Sequence, residues 1–242
     1  MQDLQKQQQS SRKKNNSSLD NKSEYQLQKA SQEVTEVYFD GLCQPYNPGG
    51  IACYAYLIQQ YSHKESKKVI IHSDHGLATE AFSRHSSNNV AEYTALIKAL
   101  EWLILNNYNN RKRNNKVMVR GDSQLVIYQI KGKYKIRKSY IVSLYQRAND
   151  LISCFKNIEF EWVPRHKNTH ADTLSIQAYQ EFIERGIYKN NTTVYTEKIY
   201  PFMATENQLK LLKNLGIIPA RYTSKMEASR LISKALVDRS LE

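Results

Sequence analysis

Hydrophobic and polar positions divide the chain into a polar N-terminal segment, a regular middle region and a shorter C-terminal region. Residues 1–33 are dominated by Gln, Ser, Lys and Asn and contain almost nothing to bury. Because such a segment cannot offset the entropy lost on ordering, we expect a disordered, mildly basic tail. Regular patterning starts at residue 34, where we expect the folded part of the protein to begin.

Five short runs of β-branched, aromatic and other apolar residues in the middle region predict strands. They are VYF at 37–39, IACYAYLIQQ at 51–60, KVIIHS at 68–73, KVMVR at 116–120 and IEFEWV at 158–163. The first three runs follow one another closely, which favours an antiparallel meander. We expect the first strand to stop at the turn-forming dipeptide Asp40-Gly41.

Helical periodicity fills the space between and after these runs. It covers residues 86–107, residues 124–130, residues 140–155 and a last stretch that starts near Asp172 and ends at about Arg185. In the first helix, apolar residues recur at intervals of three or four positions, at Tyr93, Leu96, Ile97, Leu100, Leu103 and Ile104. This spacing predicts an amphipathic helix that packs on a sheet. The order of strands and helices predicts a mixed α/β fold.

The C-terminal region predicts a separate small helical unit. We interpret residues 186–201, which are polar and show no period, as a linker. Residues 202–242 predict a helical hairpin, in which a capping box at Thr205 and Gln208 starts the first helix and Ser224 starts the second. Two helices of this length have little core of their own, so we expect the hairpin to dock on something.

Charge and cysteine content narrow the class of protein. The formal net charge of +12 favours a polyanionic partner, either nucleic acid or an anionic membrane surface. No apolar run is long enough to span a bilayer, and the first thirty residues lack the apolar core of a secretory signal. The three cysteines form no C-x-x-C pair and are odd in number, which argues against a disulfide framework or a zinc knuckle. We therefore expect a cytoplasmic protein.

Four acidic residues lie at the ends of predicted elements. Asp40 follows the first strand, Glu92 lies in the first turn of the long helix, Asp122 follows the fourth strand, and Asp172 starts the last helix of the middle region. Each has a structural explanation when taken alone. Asp40 could form a turn, Glu92 and Asp122 could cap helices, and Asp172 could face solvent.

Taken together, the four carboxylates favour a metal site. Elements that pack on one sheet can bring such side chains together, and the resulting cluster repels itself without a cation. Hard oxygen ligands without a matching set of His and Cys select Mg²⁺ or Mn²⁺ rather than zinc. Two such ions close together can promote in-line displacement at a phosphodiester. A basic protein with an acidic metal site has what the hydrolysis of a polyanion requires.

Four segments carry a family resemblance. They read VYFDGLCQPYNPGGIA, SSNNVAEYTALIKAL, VRGDSQLVIYQIKGKYKIR and VPRHKNTHADTLS. In order and local form they resemble type 1 ribonuclease H, and the likeness covers residues 34–185. It implies an α/β catalytic domain with a ribonuclease-H-like five-stranded mixed sheet flanked by helices. It also implies hydrolysis of the RNA strand of an RNA·DNA hybrid to 5′-phosphate and 3′-hydroxyl ends.

The resemblance also implies a role for each carboxylate. Asp40 corresponds to the carboxylate that bridges two metal ions, and Glu92 and Asp122 to ligands of the ion on the leaving-group side. Asp172 corresponds to the ligand of the ion that activates the attacking water. The implied cofactor is a pair of Mg²⁺ ions, with Mn²⁺ as an alternative. The implied partner is an RNA·DNA hybrid, and no membrane partner is expected.

Four amide side chains are candidate substrate contacts. Asn47 lies in the loop after the first strand, and Asn88, Asn89 and Gln124 match family residues that line the minor groove of the hybrid. The 2′-hydroxyl groups are displayed there, so amides can distinguish RNA from DNA without reading sequence. Asn47 and Asn88 also fit turn and cap chemistry equally well.

Two features depart from the family pattern. His166 lies six positions before Asp172, closer than the flexible-loop His of some members, and it is either an auxiliary proton shuttle or a solvated loop residue. The basic handle that some members insert is not evident. In its place a basic run occurs at Lys131, Lys133, Lys135, Arg137 and Lys138. We interpret this run as a phosphate track, with a solvated face as the alternative.

The sequence is also compatible with two other functions. A catalytically inactive nucleic-acid-binding protein on a ribonuclease-H-like fold would show salt-sensitive binding that is indifferent to Asp40→Asn. A nuclease of the same superfold could cut DNA or duplex RNA. Comparing the cleavage of these substrates with that of the hybrid would distinguish such an enzyme from a ribonuclease H. The C-terminal hairpin resembles a small helical module appended to varied bacterial proteins. We expect it to dock on the catalytic body or on a protein partner.

Overall fold

The protein is described by a computed structural model over residues 34–62, 67–110, 115–190, 197–220 and 222–240. The predicted tail, residues 1–33, lies outside the described residues. Strands and helices follow in the order β1 (Val34–Gln44), β2 (Ile51–Ser62), β3 (Lys67–Leu77), α1 (Asn88–Leu105), β4 (Lys116–Gly121), α2 (Gln124–Ile130), α3 (Ser139–Ser153), β5 (Ile158–Trp162), α4 (Thr169–Asn190), α5 (Glu206–Asn214) and α6 (Lys225–Arg239). Short 3₁₀ turns occur at Arg165–Lys167 and Tyr200–Phe202.

The strands form a five-stranded mixed sheet in the order β3-β2-β1-β4-β5. The first three strands are antiparallel to one another, as expected for a meander with short connections. β4 lies parallel to β1 and to β5, and a helical crossover precedes each of these parallel pairings. The predicted fold class, an α/β ribonuclease-H-like sheet with flanking helices, is therefore confirmed.

The main core lies between the sheet and α1. Val37 and Phe39 of β1 pack there against buried residues of α1 that include Leu96, Leu100 and Leu103. Because successive side chains of a strand point to opposite faces, Asp40 faces away from this core. It is contacted there by Ser175 of α4. The central strand thus supports a packed core on one face and polar chemistry on the other.

Two predicted boundaries near the carboxylates are wrong. β1 does not stop at Asp40-Gly41 but continues to Gln44, with Asp40 opposite Ala55 of β2. Pairing with β2 overrides the local turn preference of the Asp-Gly dipeptide. Helix α1 is capped by Ser87, whose side chain accepts a hydrogen bond from the Val90 amide. Glu92 therefore lies beyond the first turn, and helix capping does not explain its presence.

The C-terminal region departs from the predicted linker. Helix α4 continues to Asn190, past the predicted end at Arg185, so the interpretation of residues 186–201 as a linker is wrong at its start. The capping box at Thr205 and Gln208 is present, and Ser224 caps α6. No helix within the described ranges is both long enough and apolar enough to cross a lipid bilayer.

The C-terminal hairpin docks on the body of the protein. Ile199 and Tyr222, which flank α5, are buried in a second cluster with Tyr179 and Ile183 of α4. The Tyr222 amide donates a hydrogen bond to Gln180 Oε1 at 3.1 Å. Because α4 also carries Asp172, the helix that holds the hairpin is the one that contributes to the acidic cluster.

Candidate active site

Asp40 lies in the middle of β1 and is only 7% exposed. The hydroxyl of Ser175 on α4 donates a hydrogen bond to Asp40 Oδ2 at 2.5 Å. Burial raises the pKa of Asp40 to about 6, and the charges of Asp122 and Asp172 act in the same direction. Burial therefore disfavours the ionised form of Asp40, and the charge of Arg165 offsets this only in part.

Glu92 reaches the site because α1 crosses β1 at a glycine. A Cβ atom on Gly41 would lie 2.2 Å from the backbone nitrogen of Glu92, so no larger residue fits at this crossing. The hydroxyl of Ser123, which also caps α2, donates a hydrogen bond to Glu92 Oε2 at 2.6 Å. Burial raises the pKa of Glu92 to about 8, with further contributions from Asp40 and Asp122.

Asp122 directly follows β4, beside Asp40 of the neighbouring strand. The parallel register pairs Phe39 with Gly121. Asp40 and Asp122 are the residues that follow this pair, so they lie at the same level of the sheet. The side-chain amide of Asn168 donates hydrogen bonds to Asp122 Oδ1 at 2.6 Å and to the Phe39 carbonyl at 2.9 Å. Asn168 thus ties the middle of β1 and the end of β4 to the start of α4.

Asp172 lies in the first turn of α4. Arg165 Nη2 donates a hydrogen bond to Asp172 Oδ1. On the other side, Arg230 Nη2 of α6 lies 3.9 Å from Asp172 Oδ2. Two guanidinium groups from different parts of the chain therefore face this carboxylate.

The four predicted carboxylates are brought together from four separate elements. The charge of Asp40 interacts with those of Asp122 and Asp172, and the charge of Glu92 interacts with those of Asp40 and Asp122. Within the described ranges, no three acidic, His or Cys side chains form a ready-made metal cage. Hydrogen-bond donors instead hold the carboxylates individually.

Three of the predicted substrate contacts lie at the start of α1. The exposed Asn47 accepts a hydrogen bond from the Asn88 amide at 3.1 Å, so its side chain also stabilises the helix start. Asn89, the next residue, lines a cavity of about 480 Å³. Gln124 is the exposed first residue of α2, and its neighbour Leu125 lines the same cavity. These residues are gathered at one end of the fold.

Most of the predicted phosphate track borders this cavity. The lining includes Lys133, Lys135, Arg137 and Lys138, which face Asn89 across it. Lys131 instead donates a hydrogen bond to the Phe160 carbonyl at 3.0 Å. The basic run is therefore the wall of a concave surface next to the start of α1.

His166 lies in the 3₁₀ turn that precedes α4 and is exposed. Its neighbour Arg165 contacts Asp172. The role of His166 as a proton shuttle stays a prediction.

A family model described as "Reverse transcriptase-like" matches residues 61–178. Bifunctional protein Rv2228c of Mycobacterium tuberculosis is 38% identical over 93 residues, which are 38% of this chain and 24% of that protein. Ribonuclease HI of Halobacterium salinarum is 31% identical over 115 residues, 47% of this chain and 55% of that protein. The crystal structure of RNase H1 from Halobacterium salinarum shares 27% identity at a TM-score of 0.50, covering 61% of this chain and 98% of that one. Over this region the chain is similar to type 1 ribonuclease H.

A second solved ribonuclease H is similar over the same region. LC11-RNase H1, isolated from compost by a metagenomic approach, was crystallised in complex with an RNA/DNA hybrid. It shares 27% identity at a TM-score of 0.51, with coverage of 62% of this chain and 99% of that one. The present chain spans about a quarter of the length of the mycobacterial relative and about half that of the halobacterial one.

The donor set of the acidic cluster fits divalent metal ions. Four carboxylates supply hard oxygen ligands, and no imidazole or thiol contributes a hydrogen bond to any of them within the described part of the chain. Burial and the mutual repulsion of the carboxylates raise the pKa of Asp40 and Glu92, so a bound cation would stabilise their ionised forms.

Sequence reasoning missed several residues that surround the four carboxylates. Ser123, Ser175 and Asn168 orient carboxylates, and Arg165 and Arg230 face Asp172. Asn168 and Arg165 lie in the quoted VPRHKNTHADTLS segment, so their position in that motif was the available signal. Ser175 ends the same segment, whereas nothing in the local sequence identifies Arg230, since its contact with Asp172 joins residues far apart in the chain.

Proposed function

We propose that this protein is a divalent-metal-dependent endoribonuclease that hydrolyses the RNA strand of RNA·DNA hybrids and leaves 5′-phosphate and 3′-hydroxyl ends. The observation that carries the proposal is that the four carboxylates come from four separate elements joined around them by the hydrogen bonds of Ser123, Asn168 and Ser175. The net charge of +12 suits a nucleic-acid substrate. The similarity to LC11-RNase H1, which was crystallised with a hybrid, supports the substrate class.

The four carboxylates are the proposed metal ligands. By family correspondence, Asp40 would bridge two ions, Glu92 and Asp122 would hold the ion on the leaving-group side, and Asp172 would hold the other. Two Mg²⁺ ions, when bound, supply an activated water and stabilise the leaving oxygen, and Mn²⁺ is an alternative. Ser123, Ser175 and Asn168 fix the carboxylates before any metal arrives, which reduces the reorganisation needed on binding.

The proposed substrate contacts divide into two groups. Asn47, Asn88, Asn89 and Gln124 would contact the minor groove, where amides can donate to and accept from 2′-hydroxyl groups. The basic cavity next to them would hold backbone phosphates, since its lysines and arginine supply cationic donors around a concave surface. His166 is exposed beside the start of α4 and is proposed only as an auxiliary proton carrier.

A substrate panel tests the proposed activity. Full-length protein is incubated with end-labelled RNA·DNA hybrid, duplex RNA and duplex DNA, with Mg²⁺, Mn²⁺ or EDTA. We expect metal-dependent cleavage of the RNA in the hybrid and its loss, by at least about a hundred-fold, in Asp122→Asn. Asp150→Asn is the matched control, because Asp150 is an exposed acidic residue of α3.

The panel also separates the alternatives. Inertness towards the hybrid, combined with salt-sensitive binding that survives Asp40→Asn, would indicate an inactive binding protein. Equal cleavage of duplex DNA or duplex RNA would indicate a broader nuclease. Undiminished hybrid cleavage by Asp122→Asn would contradict the proposed metal site itself.

A further inference from the structure

The C-terminal hairpin contributes a cation to the acidic cluster. Arg230 of α6 lies with Nη2 at 3.9 Å from Asp172 Oδ2, and its side chain is about one-third exposed at 34%. This distance is too long for a strong hydrogen bond, so Asp172 is not the group that fixes the guanidinium. The residue belongs to the part of the chain outside the family match.

Arg230 is held by its own helix. Its Nε and Nη2 atoms donate to the two carboxylate oxygens of Glu227 at 2.8 and 2.5 Å, a bidentate pair. The Glu227 amide in turn donates to the capping hydroxyl of Ser224 at 3.1 Å. The guanidinium is therefore positioned by α6 and does not depend on Asp172, so it remains in place when Asp172 binds a metal.

The hairpin itself is fixed to the catalytic body at two points. Tyr222 is buried against α4 and its amide is bonded to Gln180 of that helix. The ring of Phe202 lies 5.0 Å from that of Tyr46, in the loop that also carries Asn47. One contact is on the helix that bears Asp172 and the other is on the loop proposed to contact substrate. The hairpin thus lies along the rim of the proposed site.

A fixed guanidinium at this position has donors available for a phosphate. Arg presents five N–H donors in a planar fork, and the pair with Glu227 uses two of them. Three N–H donors remain, and the guanidinium is cationic at every working pH. A substrate strand that approaches Asp172 brings phosphate oxygens to donors that are already oriented.

We propose that Arg230 is a substrate-binding residue of the catalytic site, supplied by the C-terminal hairpin, which binds a backbone phosphate of the nucleic acid next to Asp172. The inference rests on the proposed function for the identity of the substrate. It gives the hairpin a role in the reaction beyond docking, because the site is incomplete without it.

The experiment uses full-length protein and two readouts. Steady-state hybrid cleavage is measured for wild type, Arg230→Gln, Arg230→Lys and the control Arg239→Ala, which removes an exposed cation from the last position of the same helix. Equilibrium binding of labelled hybrid in Mg²⁺ is measured for the same variants in an Asp122→Asn background, which suppresses turnover during the measurement.

We expect Arg230→Gln to weaken hybrid binding and kcat/KM by about ten-fold, as for the loss of one charge-assisted contact, and to lower the salt slope of binding by about one. Arg230→Lys should recover part of the affinity, and Arg239→Ala should match wild type. The thermal unfolding midpoint reports whether α6 has shifted. The Lys and Gln variants both lose the bidentate pair with Glu227, so their difference isolates the charge at the site.

Two results overturn the inference. Equal hybrid affinity of the Lys and Gln variants would mean that the cation does not contact the substrate. Faster cleavage by Arg230→Gln, with tighter Mg²⁺ binding measured by calorimetry without substrate, would mean that Arg230 blocks the site. If wild type cleaves no hybrid, the proposed function fails, while binding in the Asp122→Asn background still decides the role of Arg230.

Discussion

Gly41 lies where the start of α1 crosses β1, and its missing side chain sets the distance between Asp40 and Glu92. A Cβ atom at this position would lie 2.2 Å from Glu92 N, 2.5 Å from Ala91 C and 2.7 Å from Ala91 Cβ. Ordinary contact requires at least 3.4 Å. Two of the three contacted atoms are backbone, so in Gly41→Ala the helix start must move outward by about 1.2 Å.

This displacement has separate consequences for stability and for activity. Overpacking of this kind destabilises a fold by about 1–3 kcal/mol, which circular dichroism detects as a lower midpoint of chemical unfolding. Glu92 moves with the helix backbone, and a misplacement of roughly 1 Å at a catalytic site lowers the rate about a hundred-fold. We therefore expect Gly41→Ala to remain folded at 25 °C but to lose most of its Mg²⁺-dependent hybrid cleavage.

Gly76→Ala is the matched control. A Cβ atom on Gly76, in β3, would meet the Tyr54 side chain at 3.4 Å, an ordinary contact. This variant should retain both stability and hybrid cleavage. Wild-type rates in Gly41→Ala, under conditions where Gly76→Ala is also active, would refute the view that this crossing positions Glu92.

Two further predictions concern the groups that surround the carboxylates. Asn168→Ala removes the hydrogen bonds to Asp122 and Phe39. It should therefore lower the free energy of unfolding by about 1–3 kcal/mol and reduce hybrid cleavage. The control Asn106→Ala, at an exposed helix end, should do neither. Because the folded-state pKa of Glu92 is raised from 4.5 to about 8, the folded protein binds the extra proton, and the metal-free protein should lose stability as pH rises through this window. Thermal unfolding in EDTA from pH 5 to pH 8.5 measures this slope, which Mg²⁺ and Glu92→Gln should each reduce; an unchanged slope in Glu92→Gln would count against the raised pKa.

Much of the architecture followed from local sequence alone. The apolar period of α1 predicted its buried face, and Leu96, Leu100 and Leu103 are fully buried there. Helix α2 was predicted with its observed bounds, and the capping box of α5 is present as expected. These features depend on hydrophobic periodicity and on hydrogen bonds between residues three positions apart, both of which can be read within a short window.

The tertiary structure decided the features that depend on distant contacts. Asp40 lies inside β1 because residues 41–44 pair with β2, against the turn preference of Asp-Gly. Asn168 joins three elements, and Arg230 reaches Asp172 from a helix about sixty positions later in the chain. Local sequence could identify the four acidic residues and the elements that carry them. Their orientation and electrostatic partners were decided by packing between segments whose separation along the chain no local pattern encodes.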